Sequence, residues 1–220
     1  MFIGGDVATA CKIMEEFMLP KLSQEKEDVV REIVTIGAGN AATALSQMLK
    51  KKVSILVPKV NSCRIEEASK IFGDTTSLVT SVYLRVLGDV SGVMLFSFKK
   101  DDANRFADIL LGNPPGKTKV LNEMATSALK ETGTILSGSY LSALAKLIKV
   151  RALLSAPGLA QDMAGAIVDA ILAEISTKAD YAIVINTELA IVDEKVMAYF
   201  FFIPDVDSIE MIMQSIGVDL

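Results

Sequence analysis

The sequence predicts an α+β domain in which a helix–strand–strand–strand–helix unit occurs twice, with its two long helices on a shared central sheet. The first observation behind this is a set of polar residues that recurs 99 residues later at the same helical spacing. The two sets are Asp28, Glu32 and Thr35 followed by Pro58, and Ser127, Glu131 and Thr134 followed by Pro157. The second observation is that the same order of predicted elements follows each set. We therefore interpret the domain as a pseudo-twofold internal duplication.

The first half begins after an N-terminal addition. Residues 6–18 have a helical pattern that stops before Pro20, so we predict that residues 1–22 form a helical extension outside the repeat. Ser23 suits the N-cap of the following helix. The predicted elements are then a long helix over about 23–50, a strand ending at Pro58, at most a short helix over 65–72, strands over 77–87 and 90–98, and a helix over 101–111 that Gly112 ends.

The second half repeats this plan with one enlarged element. It has a long helix over 121–149, a short strand over 151–155, strands over 181–192 and 195–203, and a closing helix over 206–216. Residues 159–175 predict a full amphipathic helix where the first half has only a short one. We therefore expect a single domain over 23–220 made of two repeats, about 23–116 and 117–220.

Composition excludes several classes of function. The chain has no histidine, which excludes Ser-His-Asp and Cys-His catalysis, His-ligated zinc and phosphotransfer through histidine. The two cysteines give neither a disulfide framework nor metal-ligand spacing. We predict no metal site in the chain itself. Acid–base or positioning chemistry must therefore come from carboxylates, hydroxyls, amides, Lys or Tyr.

Charge and hydropathy bear on partners and location. A net charge of −5 argues against nucleic acid as the main partner, because phosphate binding needs clustered Lys and Arg. No apolar run reaches the roughly 18 residues of a spanning helix, so we expect no membrane insertion. Acidic Asp6 precedes any lysine and no signal-peptide pattern is present, which favours a cytoplasmic location.

The glycines of the first long helix resemble a nucleotide-binding loop but lack its context. The segment IVTIGAGNAATAL contains Gly-x-Gly-x-x-Ala, a fingerprint that needs a strand before it. Here the preceding residues are helical, and the corresponding segment LSGSYLSA lacks the glycine pattern. Gly39 and Gly138 align between the halves, and we expect them to serve close packing of each helix on another element.

The Glu-x-x-Thr pairs are the candidate functional residues. Glutamate on an exposed helix face is ordinary, and one such pair would mean little. Two copies at a fixed offset, each with its proline, are more informative, because the apolar stripe of the helix has drifted further between the halves than the polar pair. The pattern therefore indicates two copies of one site.

These residues resemble the CheC family of chemotaxis phosphatases, which is related to CheX and FliY, over roughly residues 24–218. The family motif is Asp or Ser, three residues, Glu, two residues, Asn, twenty-two residues, then Pro. Both copies reproduce its spacing, and GAGNAATALS is also typical of the family. Two copies and an enlarged second-half helix resemble CheC rather than single-site CheX. The departure is that Thr35 and Thr134 stand where the family has asparagine.

The resemblance implies a reaction and a partner. In the family, the helix is laid against a phosphorylated response regulator, CheY, where Asn orients water and Glu pairs with a lysine of the regulator. Mg²⁺ belongs to the regulator, so no cofactor of the phosphatase's own is expected. Threonine keeps a hydroxyl that donates and accepts but has less reach than an Asn amide. The helical Glu/Asp-x-x-Thr/Asn pair of HisKA-type bifunctional kinases indicates that threonine can serve. The alternative is a threonine that only bonds back to the i−4 carbonyl on an inactive relative.

A binding role is the competing interpretation. Family members bind the receptor deamidase CheD, so the resemblance also implies an adaptor that works without catalysis. Gln161, Asp162 and Asp169 on the predicted helix 159–175 are the candidate partner-binding residues, against the alternative that this helix merely packs on the sheet. A structural subunit of the flagellar switch is disfavoured, because the sequence shows no appended domain of the FliY kind.

Overall fold

The computed structural model describes residues 24–175, 181–191 and 194–215. In chain order the elements are α1 (Gln24–Leu49), β1 (Val53–Arg64), a 3₁₀ helix (Ile65–Phe72), β2 (Leu78–Gly88), β3 (Gly92–Lys99), α2 (Lys100–Leu111), α3 (Glu123–Ile148), β4 (Ala152–Leu154), β5 (Gly158–Met163), α4 (Ala164–Ile175), β6 (Tyr181–Ile191), β7 (Glu194–Pro204) and α5 (Val206–Ser215). The predicted extension over 1–22 and the predicted N-cap Ser23 lie outside the described residues.

One antiparallel sheet joins the two halves of the chain. Its strand order is β1-β6-β7-β3-β2-β4, and β5 also pairs with β2 beyond β4. The order has the same form from either edge: the first strand of one half pairs with the second strand of the other, and the two third strands, β3 and β7, pair at the centre. The strands of the two halves are therefore interleaved in one sheet.

The sheet is buried on both faces. Side chains alternate along β3, so that Phe96 and Phe98 belong to one core while Val93 and Leu95 belong to another. The larger core lies under α1, α2, α3 and α5, and the smaller one lies under the 3₁₀ helix and α4. The predicted α+β class is confirmed, as is the placement of both long helices on one face of the sheet.

The two long helices contact each other closely beside the sheet. A Cβ atom added at Gly37 of α1 would lie 2.6 Å from Cδ1 and 3.0 Å from Cα of Tyr140 on α3. The Tyr140 ring is buried and lies 4.6 Å, centroid to centroid, from that of Phe200 on β7. Burial raises the pKa of Tyr140 to about 12, so its hydroxyl stays neutral. This contact fixes the separation of the helices that carry the two Glu-x-x-Thr pairs.

The predicted helix over 159–175 is wrong in its first third. Residues Gly158–Met163 form β5, and the helix begins only at Ala164. The reason is that, among the described strands, only β5 lies beside the first residues of β2 on this side, pairing Leu78 with Met163 and Tyr83 with Gly158. A non-local demand for backbone hydrogen bonds therefore overrides the local helical pattern.

Candidate functional site

Each long helix presents one Glu-x-x-Thr pair toward solvent. Glu32 and Thr35 on α1 are exposed, as is Glu131 on α3, while Thr134 is half-buried. Among the described residues, neither glutamate side chain forms an ion pair or a hydrogen bond. The two-site interpretation requires such accessibility, because a carboxylate already paired in the core would not reach a partner protein.

Both threonine hydroxyls bond to their own helix. Thr35 Oγ1 donates to the carbonyl oxygen of Arg31 at 2.8 Å, and Thr134 Oγ1 donates to that of Lys130 at 2.9 Å. This is the i−4 bond that a threonine without catalytic function would also make. It uses the hydroxyl proton, however, and leaves the oxygen lone pairs as acceptors. Each site therefore offers a carboxylate and, one turn further on, a hydroxyl oxygen that can accept a hydrogen bond from water.

Two further residues belong to the same exposed face: Ile36 was not singled out from the sequence, and Gly39 was assigned to packing. Ile36 follows Thr35 and is 52% exposed, and Gly39 lies one turn beyond and is also exposed. Their counterparts on α3, Ile135 and Gly138, are half-buried. The pattern Glu-x-x-Thr-Ile-x-x-Gly is therefore identical in both helices, at positions i, i+3, i+4 and i+7 of one face. That identity is visible in the sequence alone.

Pro58 lies inside β1 rather than at its end, which corrects the predicted strand boundary. Leu56 pairs with Glu188 and Lys59 with Asn186, so two residues of β1 lie opposite one of β6. This is a β-bulge, and the bulged position needs no ladder bond from a backbone N–H, which proline lacks. The strand therefore continues past the proline to Arg64.

Pro157 lies at the corresponding irregularity of the second half. Leu154 pairs with Val86 and Gly158 with Tyr83, so three residues lie opposite two where β4 passes into β5. Each motif proline thus lies at an irregularity on an outer edge of the described sheet: Pro58 in a bulge within β1, and Pro157 between β4 and β5. Of the remaining motif residues, Ser127 is exposed on α3, and Asp28 lies in α1 with a side chain outside the described set.

The structure does not place Gln161, Asp162 and Asp169 on one helix. Gln161 and Asp162 lie on β5, where alternation directs them to opposite faces of the sheet, and Asp169 lies on α4. Gln161 Nε2 donates to Thr80 Oγ1 at 3.0 Å. Asp162 pairs in register with Val79 of the smaller core, so Asp162 and Asp169 share the α4 side of the sheet while Gln161 does not. The predicted three-residue surface is therefore divided.

Two negative findings concern only the residues with described structure. They contain no group of three or more His, Cys, Asp or Glu side chains that could hold a metal ion. None of their helices is both long enough and apolar enough to cross a membrane.

Comparison with known proteins places this fold and site. The sequence profile of the CheC-like family matches residues 25–62, which include Glu32, Thr35 and Pro58. The crystal structure of Thermotoga maritima FliY has the same fold: the TM-score is 0.73 at 21% identity, over 89% of this chain and 98% of that one. The fold is that of CheC-like and FliY proteins.

Proteins related in sequence show to which family within this class the chain belongs. The chain is 36% identical over 203 residues to the CheY-P phosphatase CheC of Bacillus subtilis (strain 168), covering 90% of this chain and 97% of that protein. It is 28% identical over 137 residues to the flagellar motor switch phosphatase FliY of the same organism, of which it spans 35%. The chain belongs to the CheC family.

Proposed function

We propose that this protein hydrolyses the aspartyl phosphate of a phosphorylated CheY-like response regulator, using the Glu-x-x-Thr pairs of α1 and α3. Support comes from the similarity to the B. subtilis CheY-P phosphatase along almost the whole chain. The observation that carries the proposal is that each pair lies accessible on a helix, with the threonine oxygen available as an acceptor. One chain therefore carries two such sites.

The threonine oxygen positions the attacking water. Because Thr35 Oγ1 donates its proton to the Arg31 carbonyl, it accepts a hydrogen bond from the water and directs a water lone pair toward phosphorus. The water oxygen bonds to phosphorus, the bond between phosphorus and the aspartyl oxygen breaks, and that electron pair returns to the carboxylate. Both protons of the water leave with the inorganic phosphate. Such positioning is the main contribution a protein makes to phosphoryl transfer.

The glutamate holds the regulator in place. Glu32 and Glu131 carry no ion pair with another described residue, so each carboxylate can pair with a lysine of the regulator when the surfaces meet. That pair forms in the bound complex before the chemical step. Its loss should therefore weaken binding more than it slows the step itself.

The proposal is tested by following loss of phosphate from a phosphorylated CheY-like regulator at fixed Mg²⁺. Wild type should accelerate the loss. The double variant Thr35→Ala/Thr134→Ala should lose about 10²-fold in kcat with KM within a few-fold, because the hydroxyl acts in the transition state. Glu32→Gln/Glu131→Gln should instead raise KM.

The matched control is Ser215→Ala on α5. Its hydroxyl also donates to an i−4 carbonyl, that of Met211 at 2.7 Å, and it is exposed. The Ser215→Ala variant should dephosphorylate the regulator at the wild-type rate. If wild type accelerates no regulator, the phosphatase proposal is wrong. If the threonine variant keeps full kcat, the water-positioning role is wrong.

A further inference from the structure

Four glycines of the long helices fall into two groups. A Cβ atom at Gly37 would lie 2.6 Å from Tyr140, and one at Gly133 would lie 2.7 Å from a methyl group of Val82. These two are required by packing. A Cβ atom at Gly39 would meet nothing within 4 Å, and one at Gly138 would meet only Leu154 Cδ1 at 3.9 Å, an ordinary contact.

The expectation that Gly39 and Gly138 serve close packing is therefore wrong. Both lie in the interior of a helix, where glycine is the least favourable residue apart from proline. Neither has a positive φ angle, and neither is crowded by another element. Alanine would fit at both positions and would stabilise both helices. The internal packing of the described residues thus gives no reason for glycine at two equivalent positions.

The position of Gly39 and Gly138 on their helices gives a reason for glycine there. Each glycine lies four residues after the threonine, one turn along the same side of the helix. Gly39 is exposed there and Gly138 is half-buried. The threonine oxygen is attached directly to Cβ, one bond nearer to the helix than an Asn amide oxygen. The bond to the i−4 carbonyl also holds it close to the helix backbone. A phosphoryl group served by this oxygen must therefore come close to the helix surface.

We propose that Gly39 and Gly138 are positioning residues for the dephosphorylation reaction, an inference that rests on the proposed function. Without a side chain, each glycine lets the phosphate-bearing surface of the regulator approach the helix closely enough for the short threonine hydroxyl to reach the attacking water. A methyl group there would hold the regulator back, because atoms in contact stay about 3.5–4.0 Å apart. The water would then lie out of line with the phosphorus.

The test is the double variant Gly39→Ala/Gly138→Ala in the full chain. We expect each substitution to raise Tm by about 2–4 °C, because alanine favours the helix. Dephosphorylation of the regulator should fall by about 10²-fold, because a displacement of about 1 Å costs that much in a positioned reaction. Affinity for the beryllofluoride complex of the regulator should fall as well. A packing role would lower both Tm and activity together.

The second part of the test introduces longer side chains at the two threonine positions. Adding Thr35→Asn/Thr134→Asn to the glycine variant should restore activity at least tenfold, because the amide reaches across the widened gap. Wild-type activity in the glycine variant would overturn the inference and leave the proposed function intact, as would a fall in Tm. Absence of activity in the wild-type protein would instead refute the proposed function, and the inference with it.

Discussion

The candidate site differs from the family motif in having threonine where the family has asparagine, which places the side-chain oxygen one covalent bond closer to the helix. Threonine has the chemistry to accept a hydrogen bond from water, but its oxygen lies on Cβ, and at both sites it is bonded to the carbonyl four residues earlier. That hydrogen bond occupies the hydroxyl proton, so the hydroxyl can act toward a partner only as an acceptor. The lone pairs are presented to solvent, and the proton is not available to donate to a phosphoryl oxygen.

Restoring the family's asparagine tests whether the approach distance is matched to threonine. The double variant Thr35→Asn/Thr134→Asn should lower kcat for regulator dephosphorylation several-fold, because at the close approach that the glycines allow the longer amide would displace the attacking water. Initial rates at saturating regulator measure this. A rise in kcat would mean that the reach of the threonine hydroxyl limits the rate.

The glutamates and threonines of the candidate site were predictable from the sequence, whereas the place of Gly39 on the same face was misassigned. Glu32 and Thr35 stand out because they recur with their spacing in α3. Gly39 was assigned to packing, because a run of Gly and Ala has too little contrast in hydrophobicity to show which side faces the core. The structure assigns the tight contact to Gly37, two residues earlier and on a different side of the helix.

At the scale of elements, the α1–α3 contact depends on one glycine. Gly37→Ala should lower the free energy of unfolding by about 1–3 kcal/mol, because the added methyl overlaps the Tyr140 ring and backbone. Urea unfolding monitored by circular dichroism measures this loss. Gly39→Ala on the same helix is the matched control and should be stabilising. Equal effects of the two substitutions would contradict the assignment of the contact.

The element that the sequence mispredicted shows where local pattern fails. The predicted helix over 159–175 includes residues 159–163 as its first turn. The structure instead starts α4 at Ala164, where Ala164 N donates to Ser77 O and Gly165 N donates to Thr75 O, each at 2.8 Å. These carbonyls satisfy the first N–H groups of the helix. Both partners lie about 90 residues away, and no local pattern reports them.

At the scale of the whole molecule, the two helical faces are equivalent in sequence but unequal in exposure. Thr35 is exposed, whereas Thr134 is half-buried. We expect Thr35→Ala alone to remove more than half of the regulator dephosphorylation and Thr134→Ala alone to remove less. If the two sites act on separate regulator molecules, the two losses should sum to that of the double variant. Initial rates for the three variants decide this. Complete loss from either single change would show that the sites do not act independently.

The stability contributed by the contact between Asp108 and Thr118, in the segment that joins the two halves of the chain, should depend on pH. Asp108 at the end of α2 is buried, and its Oδ1 accepts hydrogen bonds from Thr118 N at 2.9 Å and Thr118 Oγ1 at 2.6 Å. Burial raises the pKa of this carboxyl, but hydrogen bonds from Thr118 and from the backbone of Gly116 and Lys117 together outweigh it, and the pKa lies below its ordinary value. The stabilisation is therefore fully present above the unfolded-state pKa of about 3.9 and is lost as the pH falls through the folded-state pKa.

Thr118→Val measures this contribution. It removes the hydroxyl donor, so the variant should unfold at lower urea concentration than wild type at pH 6 to 7. The difference should shrink below about pH 4, where the carboxyl takes up its proton in both proteins. A difference that stays constant from pH 7 to pH 3 would show that the Thr118 hydroxyl stabilises the fold independently of the charge on Asp108.

The two edge irregularities that carry the motif prolines have a consequence for the behaviour of the protein at high concentration. An edge strand is a template for aggregation when it offers a long, regular row of unpaired N–H and C=O groups. β1 is irregular at Val57 and Pro58, and the opposite edge is broken between Leu154 and Gly158. A strand from a second molecule would lose register partway along either edge. Growth of the sheet from one molecule to the next is thereby opposed at the same two places where the motif puts its prolines.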